Sequence, residues 1–172
     1  MEQVDLYQDE FVRTGETRPR GKRREGNGSM LVVFACIFNK KGEMLIQKRA
    51  DCKKERPGLF DVSAGGAVQA GEKSILAMQR EIREETGLRI PEEDLVKVLS
   101  VYYDGMITDI YTAVADPSPE ELVPDPLEVS ELRFATEEEI YELIRNGAFV
   151  PLHKEIIGLL FRMKTKKGIL LL

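Results

Sequence analysis

Short apolar runs, separated by turn residues, alternate with helical patterns along most of the chain. Residues 30–38 are almost continuously apolar and rich in β-branched and aromatic side chains, which predicts a buried strand. The turn at 39–42 and the alternating segment 43–48 predict that this strand returns as a hairpin. Further strands or strand pairs are predicted over residues 3–12, 59–68, 95–103, 106–115 and 132–135. The segment 17–28 is basic and contains Gly and Pro, which predicts a loop.

Helical periodicity appears in three places. In a helix predicted over 73–86, Ile75, Met78 and Ile82 form one buried stripe, and Gly87 fits its C-cap. Thr136, with a glutamate three residues later, predicts a capping box for a second helix, and residues 152–164 predict a third. This order of elements predicts a mixed β-sheet with helices on both faces, an α/β/α sandwich.

Length and charge narrow the classes of function. A chain of 172 residues is most simply one domain, residues 1–172. The net charge of −5 disfavours nucleic acid as a partner but leaves room for a small nucleotide. The basic segment 17–28 is then a solvated loop or a second source of phosphate contacts. The acidic start without an apolar segment, and the lack of an apolar run near 20 residues, predict a cytoplasmic protein that does not use a membrane.

Cysteine and histidine are too scarce for several common sites. Cys36 lies in an apolar run and is expected in the core, whereas Cys52 lies in a charged loop and is expected to be exposed. Two cysteines form neither a disulfide framework nor a zinc pattern. With His153 as the only histidine, a Ser-His-Asp triad or a histidine-rich zinc site is not expected.

An acidic cluster carries the strongest chemical signal. Glu81, Glu84 and Glu85 are spaced i, i+3 and i+4 and therefore share one face of the predicted helix. Three such carboxylates repel one another unless a cation lies among them, and hard oxygen ligands suit Mg²⁺ or Mn²⁺. The alternative is a solvated charged face. Against it, Arg80 stands one turn before Glu84 and can fix its orientation.

The same segment resembles the signature box of the Nudix hydrolases, G-x5-E-x7-R-E-U-x-E-E-x-G-U, where U is bulky and aliphatic. The box spans residues 66–88 and every position is matched: Gly66, Glu72, Arg80, Glu81, Ile82, Glu84, Glu85, Gly87 and Leu88. The resemblance implies a Nudix-type sandwich and metal-dependent hydrolysis of a diphosphate bond in a small substrate, such as a nucleoside diphosphate linked to another group.

The resemblance also implies roles for single residues. Glu81, Glu84 and Glu85 would hold Mg²⁺ or Mn²⁺. The Gly66 carbonyl would be a further ligand. Glu72 would be an outer acid or would fix the loop, and Gly87 would be structural. Arg80 would act in catalysis by orienting the glutamates.

The general base differs among members of this family. Glu81 is one candidate. The other is an acid in a downstream loop, for which Glu128 and Glu131 are suitably placed.

The region before the box resembles a narrower branch, related to isopentenyl-diphosphate isomerase. Arg49, Lys53 and Lys54 are the matching cations and are candidate phosphate contacts, with loop solubility as the alternative. The isomerase needs a Cys where this chain has Gly65 and a His where it has Ala67. We therefore expect no isomerase activity.

Alternatives remain for function and substrate. Besides a hydrolase, the chain could be an isomerase-like enzyme or a binding module without turnover. The leaving group is set outside the box. Phe34, Tyr102 and Tyr103 could stack a base, but core packing is expected of them. A homodimer is common for this fold and is not visible in the sequence.

Overall fold

The computed structural model describes residues 2–8, 11–20, 28–103 and 105–164. In this part of the chain it contains nine strands and three α-helices. The strands are β1 Gln3–Tyr7, β2 Arg13–Pro19, β3 Ser29–Phe38, β4 Met44–Arg49, β5 Phe60–Asp61, β6 Ala64–Ala67, β7 Val96–Tyr103, β8 Met106–Val114 and β9 Val129–Ala135. The helices are α1 Ser74–Thr86, α2 Glu137–Arg145 and α3 Lys154–Met163.

Strand β3 is the centre of a mixed sheet. It pairs in parallel with β8 along its length, from Met30 opposite Met106 to Phe38 opposite Val114. Its other edge pairs antiparallel with β1, β6 and β4 in turn. Strand β7 forms an antiparallel hairpin with β8, and β9 lies antiparallel to β4. The predicted hairpins 30–48 and 95–115 are therefore confirmed.

The strands bury both faces of the sheet, as the continuous apolar run of β3 predicts. Val33, Ala35 and Ile37 of β3 face one core, into which α1 packs. Cys36 and Phe38 face a second core, which α2 and α3 cover. The α/β/α sandwich is therefore confirmed. None of the described helices is long and apolar enough to cross a membrane.

The helix ends follow the predicted local chemistry. Gly87 has φ 81° and its N–H donates to the Arg83 carbonyl, so it ends α1 as a left-handed C-cap. Thr136 accepts from the Glu139 backbone N–H, and the Glu139 side chain accepts from the Thr136 N–H, which completes the capping box. Of the cysteines, Cys36 is buried and Cys52 is exposed, as expected.

Three predictions need correction. Residues 17–19 were predicted in a loop but belong to β2, because they pair with β1 from Pro19 opposite Gln3; residues 21–27 of that segment lie outside the described part. The strand predicted over 59–68 is two short strands that pair with different neighbours, β4 and β3. Tyr102 and Tyr103 are not in the core, since 54% and 71% of their surfaces are exposed. Strand pairing and surface position both depend on distant parts of the chain.

Candidate active site

Strand β6 brings Gly65 and the box residue Gly66 directly beneath α1. Gly66 pairs with Val33 and Gly65 with Phe34 in the centre of the sheet. A Cβ atom at Gly66 would overlap the carboxylate of Glu81, so this close approach of helix and strand depends on glycine. The space above β6 is therefore filled by carboxylate oxygens of α1 rather than by a strand side chain.

Glu85 is the most deeply held acid of this face. Only 5% of its surface is exposed, and Oε2 accepts hydrogen bonds from the Gly65 N–H at 2.8 Å and from Gln47 Nε2 at 2.7 Å. Burial raises the pKa of Glu85 to about 8, and the charge of Glu81 adds to this rise against the two hydrogen bonds. The ionised form of Glu85 is therefore poorly solvated and favours a nearby cation.

Glu81 is buried beside it. Its Oε1 accepts from Arg80 Nη1 at 2.7 Å. Burial raises the pKa of Glu81; Arg80 opposes this rise and the charge of Glu84 adds to it. Glu84 is half exposed and lies 3.5 Å from Arg80. The three acids thus occupy one face of α1, with Glu85 and Glu81 inside and Glu84 at the rim.

Arg80 connects this face to the loop of the box. It donates to both oxygens of Glu72, at 3.2 and 3.1 Å, and to the Ala67 carbonyl at 3.1 Å, besides Glu81. Glu72 in turn accepts from the Gln69 N–H at 3.0 Å. Arg80 and Glu72 therefore hold the loop and the helix together, and Arg80 also holds the carboxylate of Glu81.

The donor set fits a hard divalent cation. It consists of buried carboxylate oxygens whose negative charges repel one another, and the Gly65–Gly66 segment of β6 lies beneath it. In the described ranges, no three His, Cys, Asp or Glu side chains are arranged to hold a metal ion as they stand. Gly65 and Gln47 donate hydrogen bonds to one oxygen of Glu85, and Arg80 donates to one oxygen of Glu81.

The downstream acids and the predicted cations differ in their contacts. Glu128 is ion-paired with Lys53, and its carbonyl accepts from the Ala50 N–H. Arg49 lies 3.6 Å from the buried Asp61. The other two predicted residues are at the surface: Glu131 lies 3.7 Å from Arg133, and Lys54 is exposed. Of these residues, Lys53 and Glu128 are the two that the fold pairs with each other.

Two buried residues of this region escaped the sequence analysis. Gln47, with 2% of its surface exposed, contacts Glu85, and its Oε1 has no partner among the described residues. Burial raises the pKa of Asp61 to about 6, against the Val62 N–H and two arginines. A glutamine at a core position of an alternating strand was the available signal for Gln47.

The comparisons with known proteins agree with this geometry. A model of the NUDIX domain matches residues 28–158. The chain belongs to the Nudix family. An uncharacterized Nudix hydrolase of Listeria monocytogenes is 34% identical over 165 residues, which cover 96% of each chain. Another, from Pseudomonas aeruginosa, is 33% identical over 147 residues, which cover 83% of this chain and 84% of the relative. As a Nudix hydrolase, the chain acts on phosphorus-containing anhydrides.

Solved structures show the same fold. The crystal structure of DR0079 from Deinococcus radiodurans has a TM-score of 0.74 and 25% identity, and covers 96% of this chain and 100% of its own. The NUDIX domain of Shewanella oneidensis NrtR, solved with ADP ribose, has a TM-score of 0.57 and 17% identity, and covers 68% and 79%. The narrower resemblance to the isomerase branch stays a prediction.

Proposed function

We propose that this Nudix hydrolase is a single catalytic domain that uses Mg²⁺, or Mn²⁺ in its place, to cleave a diphosphate bond in a nucleoside-diphosphate-linked substrate. The observation that carries the proposal is the pair of buried acids on α1. Glu81 and Glu85 both have raised pKa values, and the charge of Glu81 disfavours ionisation of Glu85. Such a pair is unfavourable in the folded chain unless a cation or a proton neutralises it.

Glu81, Glu84 and Glu85 would hold the metal, with the Gly66 carbonyl as a further ligand. When bound, the ion supplies neutralisation of the diphosphate charge and a lowered pKa for attacking water. Gly66 keeps the strand out of this space. Arg80 orients the inner acids. Glu72 fixes the loop of the box, and Gly87 fixes the end of the helix from which the acids project.

A carboxylate must also take a proton from the attacking water. We favour Glu81, because burial raises its pKa and so makes it a stronger base when it is ionised. Glu128 is the alternative, and its ion pair with Lys53 would have to open for it to act. Removal of Glu128 distinguishes the two candidate bases, since most of the rate should remain if Glu81 is the base.

The cations of the rim are proposed to bind substrate phosphate. Lys53 and Arg49 lie near acids of the site, and Lys54 is exposed beside them. Each could exchange its present contacts for phosphate oxygens. The bound ADP ribose of the Shewanella domain makes this compound one obvious member of a substrate panel.

The test is hydrolysis of a panel with Mg²⁺ and with EDTA, with products identified by mass. The panel contains nucleoside di- and triphosphates, ADP-ribose, dinucleotide polyphosphates, nicotinamide dinucleotides, coenzyme A and isopentenyl diphosphate. Glu84→Gln and Glu85→Gln should each lower kcat at least a hundredfold, because each removes a charge opposite the metal. Glu142→Gln, an exposed acid of α2, is the matched control and should retain full activity.

Two results would change the assignment. Retained turnover in both box variants would exclude the metal site, and Mg²⁺ binding without turnover of any compound would favour a binding module. We expect no dimethylallyl diphosphate from isopentenyl diphosphate. Gly65 and Ala67 offer no catalytic side chain on β6, and His153 stands before α3, which covers the core opposite α1.

A further inference from the structure

The N-terminal hairpin β1–β2 lies before the matched residues 28–158, yet it holds the loop of the Nudix box. The Gln3 carbonyl accepts from the Ala70 N–H at 2.8 Å, and Asp5 Oδ2 accepts from the Gly71 N–H at 2.9 Å. From the other strand, Arg13 Nη2 donates to the Glu72 carbonyl at 2.6 Å. Three contacts to consecutive loop residues fix the position of the hairpin at the site.

Arg20 stands where this hairpin ends. Its backbone N–H donates to the Glu2 carbonyl at 2.8 Å, and its Nη1 donates to Glu2 Oε2 at 2.7 Å. The side chain is 48% exposed. Burial lowers the pKa of Arg20, but the hydrogen bond and charge of Glu2 raise it, and so do the charges of Glu81 and Glu128. Arg20 is therefore within electrostatic reach of both candidate bases.

Two other arginines around the site are more heavily engaged. Arg80 donates to two carboxylates and a carbonyl, and Arg49 lies against Asp61 and donates to the Glu55 carbonyl. Among the described residues, Glu2 is the carboxylate that pairs with Arg20. A guanidinium has five N–H donors, so this contact leaves donors for the bidentate binding of a phosphate.

We propose that Arg20 binds phosphate oxygens of the diphosphate substrate and that Glu2 holds its side chain in position. The inference rests on the proposed function, since the substrate is a diphosphate. It assigns a binding role to Arg20 alone of the basic segment. It also explains why a hairpin outside the matched region forms hydrogen bonds with the loop of the box.

The test compares four variants of the full chain: Arg20→Gln, Arg20→Lys, Glu2→Gln and the control Arg145→Gln. Arg145 has a similarly exposed side chain, 57%, and pairs with Glu138 and Glu142 on α2. Gln at position 20 can still donate to Glu2, so the hairpin should stay folded, which circular dichroism and thermal unfolding check. The probe is inorganic pyrophosphate, titrated by calorimetry with and without Mg²⁺.

Loss of a charge-assisted, bidentate contact should weaken pyrophosphate binding by about tenfold to a hundredfold in Arg20→Gln. Arg20→Lys should fall between this variant and the wild type. Glu2→Gln should weaken binding less than Arg20→Gln, by about threefold to tenfold, because the cation at position 20 remains but is held less firmly. Arg145→Gln should stay within about threefold of the wild type. With the best substrate of the panel, Arg20→Gln should raise KM more than it lowers kcat, as expected for binding that is equal in ground and transition states.

The inference is overturned if Arg20→Gln binds pyrophosphate like the wild type, or if Glu2→Gln weakens binding equally, because Arg20 would then only anchor the hairpin. The failure of the proposed function is a separate result. A panel without turnover, together with pyrophosphate binding that depends on Arg20, supports the inference and rejects the hydrolase. A wild type that hydrolyses a panel compound but does not bind pyrophosphate rejects the inference and leaves the hydrolase standing.

Discussion

At the scale of single residues, the site depends on the small number of hydrogen bonds that Glu85 accepts. Its Oε2 has two donors, the Gly65 N–H and Gln47 Nε2, and the charges of Glu81 and Asp61 disfavour its ionisation. Gln47 lies in β4 among fully buried aliphatic side chains. A buried polar atom that lacks a hydrogen-bond partner lowers the free energy of unfolding. Gln47 Oε1 has no such partner among the described residues, which points to a functional constraint.

Gln47→Met tests this constraint. The variant removes one donor to Glu85 and one buried oxygen without a described partner, so the free energy of unfolding should change by no more than about 1 kcal/mol. The rate should fall about tenfold or more, with a higher Mg²⁺ requirement, because Glu85 is no longer oriented. Urea unfolding and a Mg²⁺ titration of kcat measure the two effects.

Thr112→Val is the matched control for Gln47. Thr112 Oγ1 is the other buried side-chain atom without a partner in the described ranges, and it lies on β8 at a position between Tyr111 and Ala113, which both face α1. Its removal should leave activity unchanged and stability equal or higher by up to about 1 kcal/mol. A similar loss of rate in both variants would mean that the effect at Gln47 is general and not specific to the site.

At the scale of elements, helix α1 carries the site and must end in the correct place. Gly87 stops the helix with φ 81° and packs closely on the next segment of chain. A Cβ atom there would come within 2.8 Å of the Val123 backbone nitrogen and 2.9 Å of its carbonyl oxygen. The Val123 N–H also donates to the Thr86 carbonyl, so the loop after β8 caps the helix too. The predicted C-cap is therefore also a packing contact.

Gly87→Ala should be more destabilising than an ordinary substitution at a left-handed cap. Gly147 offers the comparison, because it follows α2 with φ 67° and a Cβ atom there would meet nothing within 4 Å. Gly147→Ala should cost roughly 1–2 kcal/mol from backbone strain alone. Gly87→Ala should cost clearly more, since backbone atoms must also move. Equal losses in denaturant unfolding would contradict the packing contact.

At the scale of the whole molecule, the buried acids make stability depend on pH. Burial raises the pKa of Glu85 from 4.5 to about 8 and that of Asp61 from 3.8 to about 6. The folded state therefore binds protons that the unfolded state has lost at the same pH. The free energy of unfolding then falls as pH rises through the interval between the two values, which for Glu85 is pH 4.5 to 8.

Metal-free protein should consequently lose stability between pH 5 and pH 8, on the order of a few kcal/mol. Glu85→Gln should flatten most of this slope, and Asp61→Asn should flatten only the part below about pH 6. Urea unfolding in EDTA at several pH values measures it. Mg²⁺ should restore stability at pH 8 in the wild type, because a ligand of the folded state stabilises it, and should not do so in Glu85→Gln. An unchanged slope in Glu85→Gln would mean that Glu85 is ionised normally.

Local chemistry was enough to predict much of the molecule. Apolar periodicity located β3, β4, β7, β8 and the three helices, because a strand or helix with a buried face repeats apolar residues at a fixed spacing. Gly87 and Thr136 marked helix ends, since caps depend on a few adjacent groups. The box predicted the family and placed three acids on one helix face, because its spacing is itself the geometry of a helix.

Only the tertiary structure decided which distant residues join that face. Strand pairing turned residues 17–19 into β2 and placed Arg20 beside Glu2, although nothing in a basic, Pro-containing segment indicates a partner strand. Gln47 meets Glu85 across 38 positions, and Lys53 meets Glu128 across 75. Such contacts depend on register and burial, which the whole sheet sets. The local sequence was thus enough to predict the family and the acidic face. The burial of the acids, their hydrogen-bond partners and the residues around them depend on the fold.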